Sequence, residues 1–482
     1  MKKVICLLLC VFVLLTCCSA CEKEPKKEAG PITLTVLTEL TNGIGVTPRV
    51  AAPDYAAALN SVINEFNYTH DSVQIKKEVL PWEKSSSKRE IQLQNLQTEL
   101  MAGKGPDIFL LPSGVTEGED RTRLESVFPD VQMAMKNLFF ADLSDYYDAD
   151  EDLKTEELQQ DVMNAGVLDG ARYVLPLGWD MPIVAVNLDK IEEFGFTQED
   201  FSLPFPEFLR ACDGSSPRGV VAGMYSDYTA LCFPQLFDYE KEPVAVTEEL
   251  LSDTVNSFSS LFDHYKSLDD NTIVVRPASA ELDTYLGLGD PPVREWPFHL
   301  STKIPFYTGK LHETLDLMAM AKYEEEPVIF YPLRSGDGST VAEVTFYGAV
   351  NANCEHPEEA YEFLRMLLQP EVQFQIGYGE NGPTALAQCN IAWPVRVENS
   401  VEQGWNARQR HIRKWTIEQP ERRQAMVELS LTEEDIPLAH EPIDHVRFRT
   451  ALDASLMGRE WLLRPDCADW TMEKLKYHIA ES

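Results

Sequence analysis

The stretch from Ile32 to Leu111 alternates between two hydrophobic periods, and that alternation limits the fold more than any other feature of the chain. Ile32 to Thr38 sets Leu34 and Val36 against Thr33, Thr35 and Leu37 at the two-residue period of a strand. From Asp54 onward Tyr55, Leu59, Val62, Ile63 and Phe66 fall at helical spacing and form one apolar stripe. Val73 to Val79 returns to strand character. Arg89 to Met101 gives a second helix through Leu93, Leu96 and Leu100, and Asp107 to Leu111 a third strand. Strand, helix, strand, helix, strand predicts a parallel sheet with right-handed crossovers.

The chain start is of a different kind. Lys2 and Lys3 precede an apolar run from Val4 to Leu15, and Ser19-Ala20 leads into Cys21. This is the pattern of a secretory signal over residues 1–20, too short to span a bilayer in the usual way. Ser19-Ala20-Cys21 resembles the lipobox of bacterial lipoproteins, which implies a diacylated Cys21 at the mature N-terminus and a location on the extracytoplasmic face of a bacterial membrane. Cys18 stands where an aliphatic residue is usual and is the alternative acceptor. Residues 21–30, charged and without large apolar side chains, read as a flexible tether.

Without Lys2 and Lys3 the body carries 40 basic residues against 78 acidic ones. Such a charge excludes nucleic acid as a partner and favours solubility. A body of this size exceeds what one hydrophobic core organises, so two domains are expected. Five of the ten cysteines lie in the signal region. The other five cannot all pair, no C-x-x-C follows Cys21, and a Cys212–Cys232 bridge is left open.

About a third of the way along the chain, Val174 to Leu177 and Val184 to Asn187 read as two strands around Gly178-Trp179-Asp180. An aromatic ring and a carboxylate beside a glycine make a binding-site composition on a segment that crosses between two α/β units. The alternative for Trp179 is a core tryptophan. Glu119 to Asp152 is helix-poor and ends in an acidic run, which lacks the spacing of a calcium loop. Thr247 to His264 has the stripe of an amphipathic helix, as does Pro357 to Leu368, and Phe448 to Leu463 and Trp470 to Ile479 read as closing helices.

Between the second helix and the third strand stands Ala102-Gly103-Lys104-Gly105-Pro106-Asp107-Ile108, where glycine ends the helix and proline prevents its resumption. Here the chain resembles extracellular solute-binding proteins of family 1, the receptors of bacterial ABC importers. YVLPLGWDMPIVAVNLDKIEEFGF (173–196), VAEVTFYGAVNANCEHPEEAYEFLRMLLQPEVQ (341–373) and Asn381-Gly382-Pro383 extend the resemblance in the expected order. It implies an α/β, two-domain, periplasmic-binding-protein-like fold of type II, each domain a mixed sheet flanked by helices, with the ligand cleft between them. The implied division is 31–178 with 328–382 for the first domain and 179–327 with 383–482 for the second, with crossings near Trp179, Glu326 and Asn381. It also implies a carbohydrate ligand, permease subunits as partners, no cofactor and no catalysis.

No G-x-S-x-G, H-E-x-x-H, G-x-x-x-x-G-K-[ST] or G-x-G-x-x-G occurs, and His440 and His445, five apart around Pro442, do not share a helical face for a metal. A pair of carboxylates for glycoside hydrolysis remains the enzyme alternative. A polyamine or peptide is the alternative solute. A sugar site needs aromatic faces and hydrogen-bonding side chains. The candidates at the inferred strand ends are Thr38, Glu39, Trp82, Trp179, Asp180, Phe346, Tyr347 and Asn381. Phe346 and Tyr347 point to opposite faces of a strand, so only one of them can face a cleft.

Overall fold

A computed structural model describes residues 30–39, 55–80, 87–113, 116–117, 123–124, 126–214, 247–253, 255–257, 306–311, 314–374, 393–397, 401–402, 404–406, 409, 420–448 and 473. The signal and all of the tether but Gly30, Trp82, Asn381, Cys232 and nearly all of the two expected closing helices lie outside them. Among the described residues no helix is long and apolar enough to cross a membrane.

The strands are β1 (Ile32–Glu39), β2 (Val73–Leu80), β3 (Ile108–Pro112), β4 (Val174–Asp180), β5 (Pro182–Asn187), β6 (Phe306–Lys310), β7 (Val328–Pro332), β8 (Val341–Val350), β9 (Trp393–Pro394) and β10 (His445–Phe448). The helices used below are α1 (Tyr55–Thr69), α2 (Ser87–Met101), α3 (Val131–Lys136), α4 (Thr314–Glu324), α5 (Pro357–Leu367) and α6 (Pro420–Val427). A large mixed sheet has the order β9-β4-β8-β3-β1-β2, with β10 added beside β8. A smaller antiparallel sheet has the order β6-β5-β7.

The first βαβαβ unit follows from its periodicities. Leu34 and Val36 of β1 are buried, as are Leu59, Val62, Ile63 and Phe66 of α1 and Leu93, Leu96 and Leu100 of α2. β1 lies between β2 and β3 and is parallel to both. The glycine-rich turn before β3 is a structural lock. Gly103 and Gly105 take positive φ values of 69° and 110° that only glycine adopts without strain. The Asn351 amide donates to the carbonyls of Lys104 (3.2 Å) and Pro106 (2.9 Å), and the Asp107 carboxylate accepts from the backbone N–H (2.7 Å) and hydroxyl (2.9 Å) of Thr35. The turn thus fastens the start of β3 both to β1 and to the end of β8.

Strand pairing differs from the expected division in three places. Residues 328–332 do not join the large sheet; β7 runs antiparallel to β5, and Glu326 just before it accepts from the Asn187 side chain at the end of β5 (3.0 Å). The return to the large sheet comes later, through residues 333–340. Conversely, β9 and β10, from the region expected in the second domain, pair with β4 and β8 of the large sheet. In the stretch that reads as helix-poor, Val131–Lys136 and Ser144–Asp148 form short helices, the second burying Tyr147. Gly178-Trp179-Asp180 belongs to β4 itself, and Met181 alone separates β4 from β5.

Candidate functional site at the junction of the two sheets

β3 is antiparallel to β8, and β8 is antiparallel to β4, so β4 runs in the same direction as β1, β2 and β3. The carboxyl ends of four strands, at Glu39, Leu80, Pro112 and Asp180, therefore open on one edge of the large sheet. Open α/β sheets bind ligands at that kind of edge. The chain leaves for the small sheet there through Met181 and returns through residues 333–340. The two crossings are bonded to each other: Leu333 N–H donates to Pro182 O (2.9 Å). A third segment joins them, since Thr340 N–H donates to the Asp444 carboxylate (2.7 Å), and the N–H groups of Asp444 and His445 both donate to Thr340 O (3.1 Å). The residues before it pack against the helix of the small sheet, where Lys322 on α4 pairs with Asp435 at 2.7 Å.

The junction collects some of the expected residues and encloses others. Thr38 is buried near the end of β1, and Glu39 aligns with Leu80 on β2. Phe346 is half-buried opposite Pro112 of β3 and Gly178 of β4, where the β4–β8 register is irregular on both sides of it. Trp179 is not laid open. Its side is 1% exposed within the core, its Nε1–H donates to Pro394 O at 3.0 Å, and it pairs in register with Val344 and Trp393. Tyr347 is equally enclosed, edge-on to Phe448 with ring centroids 5.7 Å apart. Asp180 is buried at the last position of β4, and its carboxylate accepts from the N–H of Met181 (3.0 Å).

Two residues outside the sequence-based list complete the junction. Glu343 on β8 lies in register with Asp180 on one side and Arg447 of β10 on the other, which puts three charged residues on one face of three adjacent strands. Arg447 donates to Glu343 at 3.3 Å, both side chains being buried. A glutamate within the run VAEVTF is the local signal on β8, and nothing local points to its partner 104 residues away. Around the return crossing, Arg334 donates to Gly338 O (3.1 Å), and Asp337 accepts from the hydroxyls of Ser335 and Ser339. Burial lifts the Asp337 carboxyl, but the hydrogen bonds from Ser335 and Ser339 and the nearby His445 hold it below its ordinary value. Tyr331, at the end of β7, stacks on Phe201 (6.0 Å), and burial raises its phenol.

Chemically, this arrangement offers a half-buried aromatic ring and strand-end backbone around a rigid, charge-paired frame. Among the described residues no group of three His, Cys, Asp or Glu side chains could hold a metal ion.

No family model matches the sequence, and no curated protein does. Solved structures do. The galacto-N-biose/lacto-N-biose I-binding protein of an ABC transporter from Bifidobacterium longum, solved with lacto-N-biose, aligns with a TM-score of 0.53 at 14% identity over 95% of this chain and 98% of that one. An extracellular solute-binding protein of family 1 from Alicyclobacillus acidocaldarius aligns at 0.49 and 12% identity over 93% and 98% of the two chains. An ABC substrate-binding protein from Listeria monocytogenes in complex with cycloalternan aligns at 0.48 and 14% identity over 93% and 99%. The chain has the α/β fold of the Bifidobacterium longum solute-binding protein along nearly its whole length.

Proposed function

We propose that this chain is a lipid-anchored extracellular receptor that captures a small solute, a sugar or oligosaccharide, and delivers it to the permease of an ABC transporter. The observation that carries the reading is the junction itself: four strand ends open beside bonded crossings to a second sheet, in the fold of a protein that binds lacto-N-biose. Rotation about those crossings would close the small sheet over the strand ends and bury a solute between them. Binding and release by such closure need no cofactor and no catalytic group.

In this reading Glu39, Trp82, Phe346 and Asn381 meet the solute, and the buried Thr38 supports the end of β1. Trp179, Asp180 and Tyr347 act from behind by holding β4 and β8 in place. The acylated Cys21 keeps the receptor at the membrane surface. A thermal-shift screen of the chain from Glu22 against di- and oligosaccharides, with polyamines and short peptides as counter-arms, tests the ligand class. A solute present at 100 times its Kd adds about 2.7 kcal/mol to stability. A rise with oligosaccharides alone is the expected result, and a rise with polyamines or peptides alone would overturn the carbohydrate assignment.

A further inference from the structure

The irregular point of β8 singles out the residue next to Phe346. Val344 pairs with Trp179 and Phe346 with Gly178, so β8 uses two residues for one step of β4, and the extra one is Thr345. The next step reverses the mismatch: Phe346 and Tyr347 pair with Gly178 and Pro176, which leaves Leu177 as the extra residue of β4. The two opposed bulges cancel, and the pairing beyond them runs on in register. Bulges of this kind re-aim a side chain, and they are common beside binding sites.

The two extra residues have opposite surroundings. Leu177 is enclosed in the core, and its carbonyl accepts from the side-chain amide of the buried Gln373 (3.2 Å). Thr345 is half-buried, and its carbonyl accepts from Ser113 N–H (3.0 Å), which ties its backbone to the chain just past the end of β3. Its hydroxyl is sealed from solvent and has no hydrogen-bond partner among the described residues. Leaving such a group unpaired costs stability that valine, of nearly the same shape, would not. The run VAEVTFYGAV is already rich in valine, so strand formation alone does not call for a hydroxyl at this position.

The place of Thr345 in the sheet supplies a use for it. Phe346 pairs with Pro112, the last residue of β3, so Thr345 stands at the strand-end edge beside the crossings to the small sheet. With β3 between β8 and β1, the end of β1 lies two strand spacings away, roughly 10 Å. Resting on the receptor reading above, we propose that Thr345 is a specificity-determining residue for the solute. Its hydroxyl exchanges a hydrogen bond with one sugar hydroxyl, while the half-buried Phe346 ring covers the adjacent apolar face of the sugar. A turn of one staggered well about Cα–Cβ carries the oxygen to the exposed side of the residue, with the backbone held by Ser113. No internal hydrogen bond has to break for that turn. A sugar that lacks the matching hydroxyl leaves the group unpaired in the closed cleft and binds more weakly.

The test compares Thr345→Val, which keeps the shape and removes the hydroxyl, with Thr345→Ser, which keeps the hydroxyl, both in the chain from Glu22. The probes are maltose, cellobiose, mannobiose and xylobiose with their trisaccharides, and monodeoxy derivatives of whichever binds wild type most tightly. Without sugar, Thr345→Val should melt no lower than wild type, since no internal hydrogen bond is lost. Its Kd by calorimetric titration should rise about fivefold to tenfold, the size of one net hydrogen bond. Thr345→Ser should stay within about twofold of wild type. One monodeoxy sugar should bind wild type more weakly than its parent does, and that difference should vanish in Thr345→Val. An unchanged Kd in Thr345→Val would overturn the assignment, and a lowered melting temperature beside it would make the hydroxyl part of the frame. Losses that add for every monodeoxy sugar would overturn direct contact. A wild type that binds none of the sugars sinks the carbohydrate reading itself, and the assignment falls with it.

Discussion

The two sheets are built on opposite principles. In the large sheet, β1, β2 and β3 come from one stretch of the chain, β1 pairing with β2 and β3 crossing to the other side of β1, so local periodicity points to the topology. In the small sheet, β5 is flanked by β6 and β7, strands more than a hundred residues further along the chain. The same contrast runs through the junction. Trp179, Pro394, Val344 and Phe448 come together from four distant segments, as do Asp180, Glu343 and Arg447. A sheet assembled locally can be recognised from a window of residues. One assembled from afar is specified by a few buried groups, and its sensitivity to substitution should concentrate there.

The largest expected effect is at Trp179. Replacing a fully enclosed ring by alanine leaves a cavity, and Trp179→Ala should cost about 3 to 5 kcal/mol of stability. Denaturant unfolding of the solute-free protein measures it. A small stability loss with a large loss of affinity would instead place the ring against the solute and break the distinction between frame and rim.

Next is the buried charge row. Arg447→Met removes one partner and leaves Glu343 buried beside Asp180, at a cost of about 3 kcal/mol. Combining it with Glu343→Leu should recover a large part of that loss, because an apolar pair of similar volume avoids the uncompensated charge. Additive losses in the double-mutant cycle would mean that the two side chains act independently.

These residues also mark what could be read from the sequence. The amphipathic stripes of α1, α2 and α5 are legible because each buries one face against a sheet, and the alternation of β1 because Leu34 and Val36 face the core. The turn around Gly103 and Gly105 was legible because its positive φ values demand glycine. Gly178-Trp179-Asp180 announced a special place but not its nature, since a tryptophan in a strand serves core and ligand equally well until its neighbours are known. The grouping of 328–332 with the first domain differs from the observed strand pairing because an apolar run carries no label for its partner; here β5 and the Asn187–Glu326 bond supply it. Arg447 and Glu343 could not be paired from sequence at all.

At the rim the effects should fall on affinity. Phe346 is half-buried at an irregular point of β8, and Phe346→Ala should raise the Kd of a bound oligosaccharide roughly tenfold, about 1.4 kcal/mol, with a lesser change in melting temperature than Trp179→Ala. Calorimetric titration checks it; unchanged affinity would remove this ring from the solute surface.

The smallest effect is at the exposed return crossing. The Asp337 carboxyl titrates below its ordinary value because Ser335 and Ser339 hydrogen bonds and His445 outweigh burial. A group with a depressed folded pKa stabilises the fold above its unfolded pKa, near pH 4, and loses that contribution as pH falls through the folded value. Wild type and Asp337→Asn should therefore differ modestly in melting temperature at about pH 6 and converge toward about pH 2. A difference that grows on acidification would contradict the hydrogen-bonded carboxylate.

The most direct measurement of the central claim, a receptor that binds a carbohydrate and returns it unchanged, is calorimetric titration with an oligosaccharide followed by product analysis of the same sample after prolonged incubation. The account predicts saturable one-to-one binding and recovery of intact oligosaccharide. Reducing ends released in proportion to time and protein, and lost when one carboxylate is replaced, would contradict it and make the chain a glycoside hydrolase.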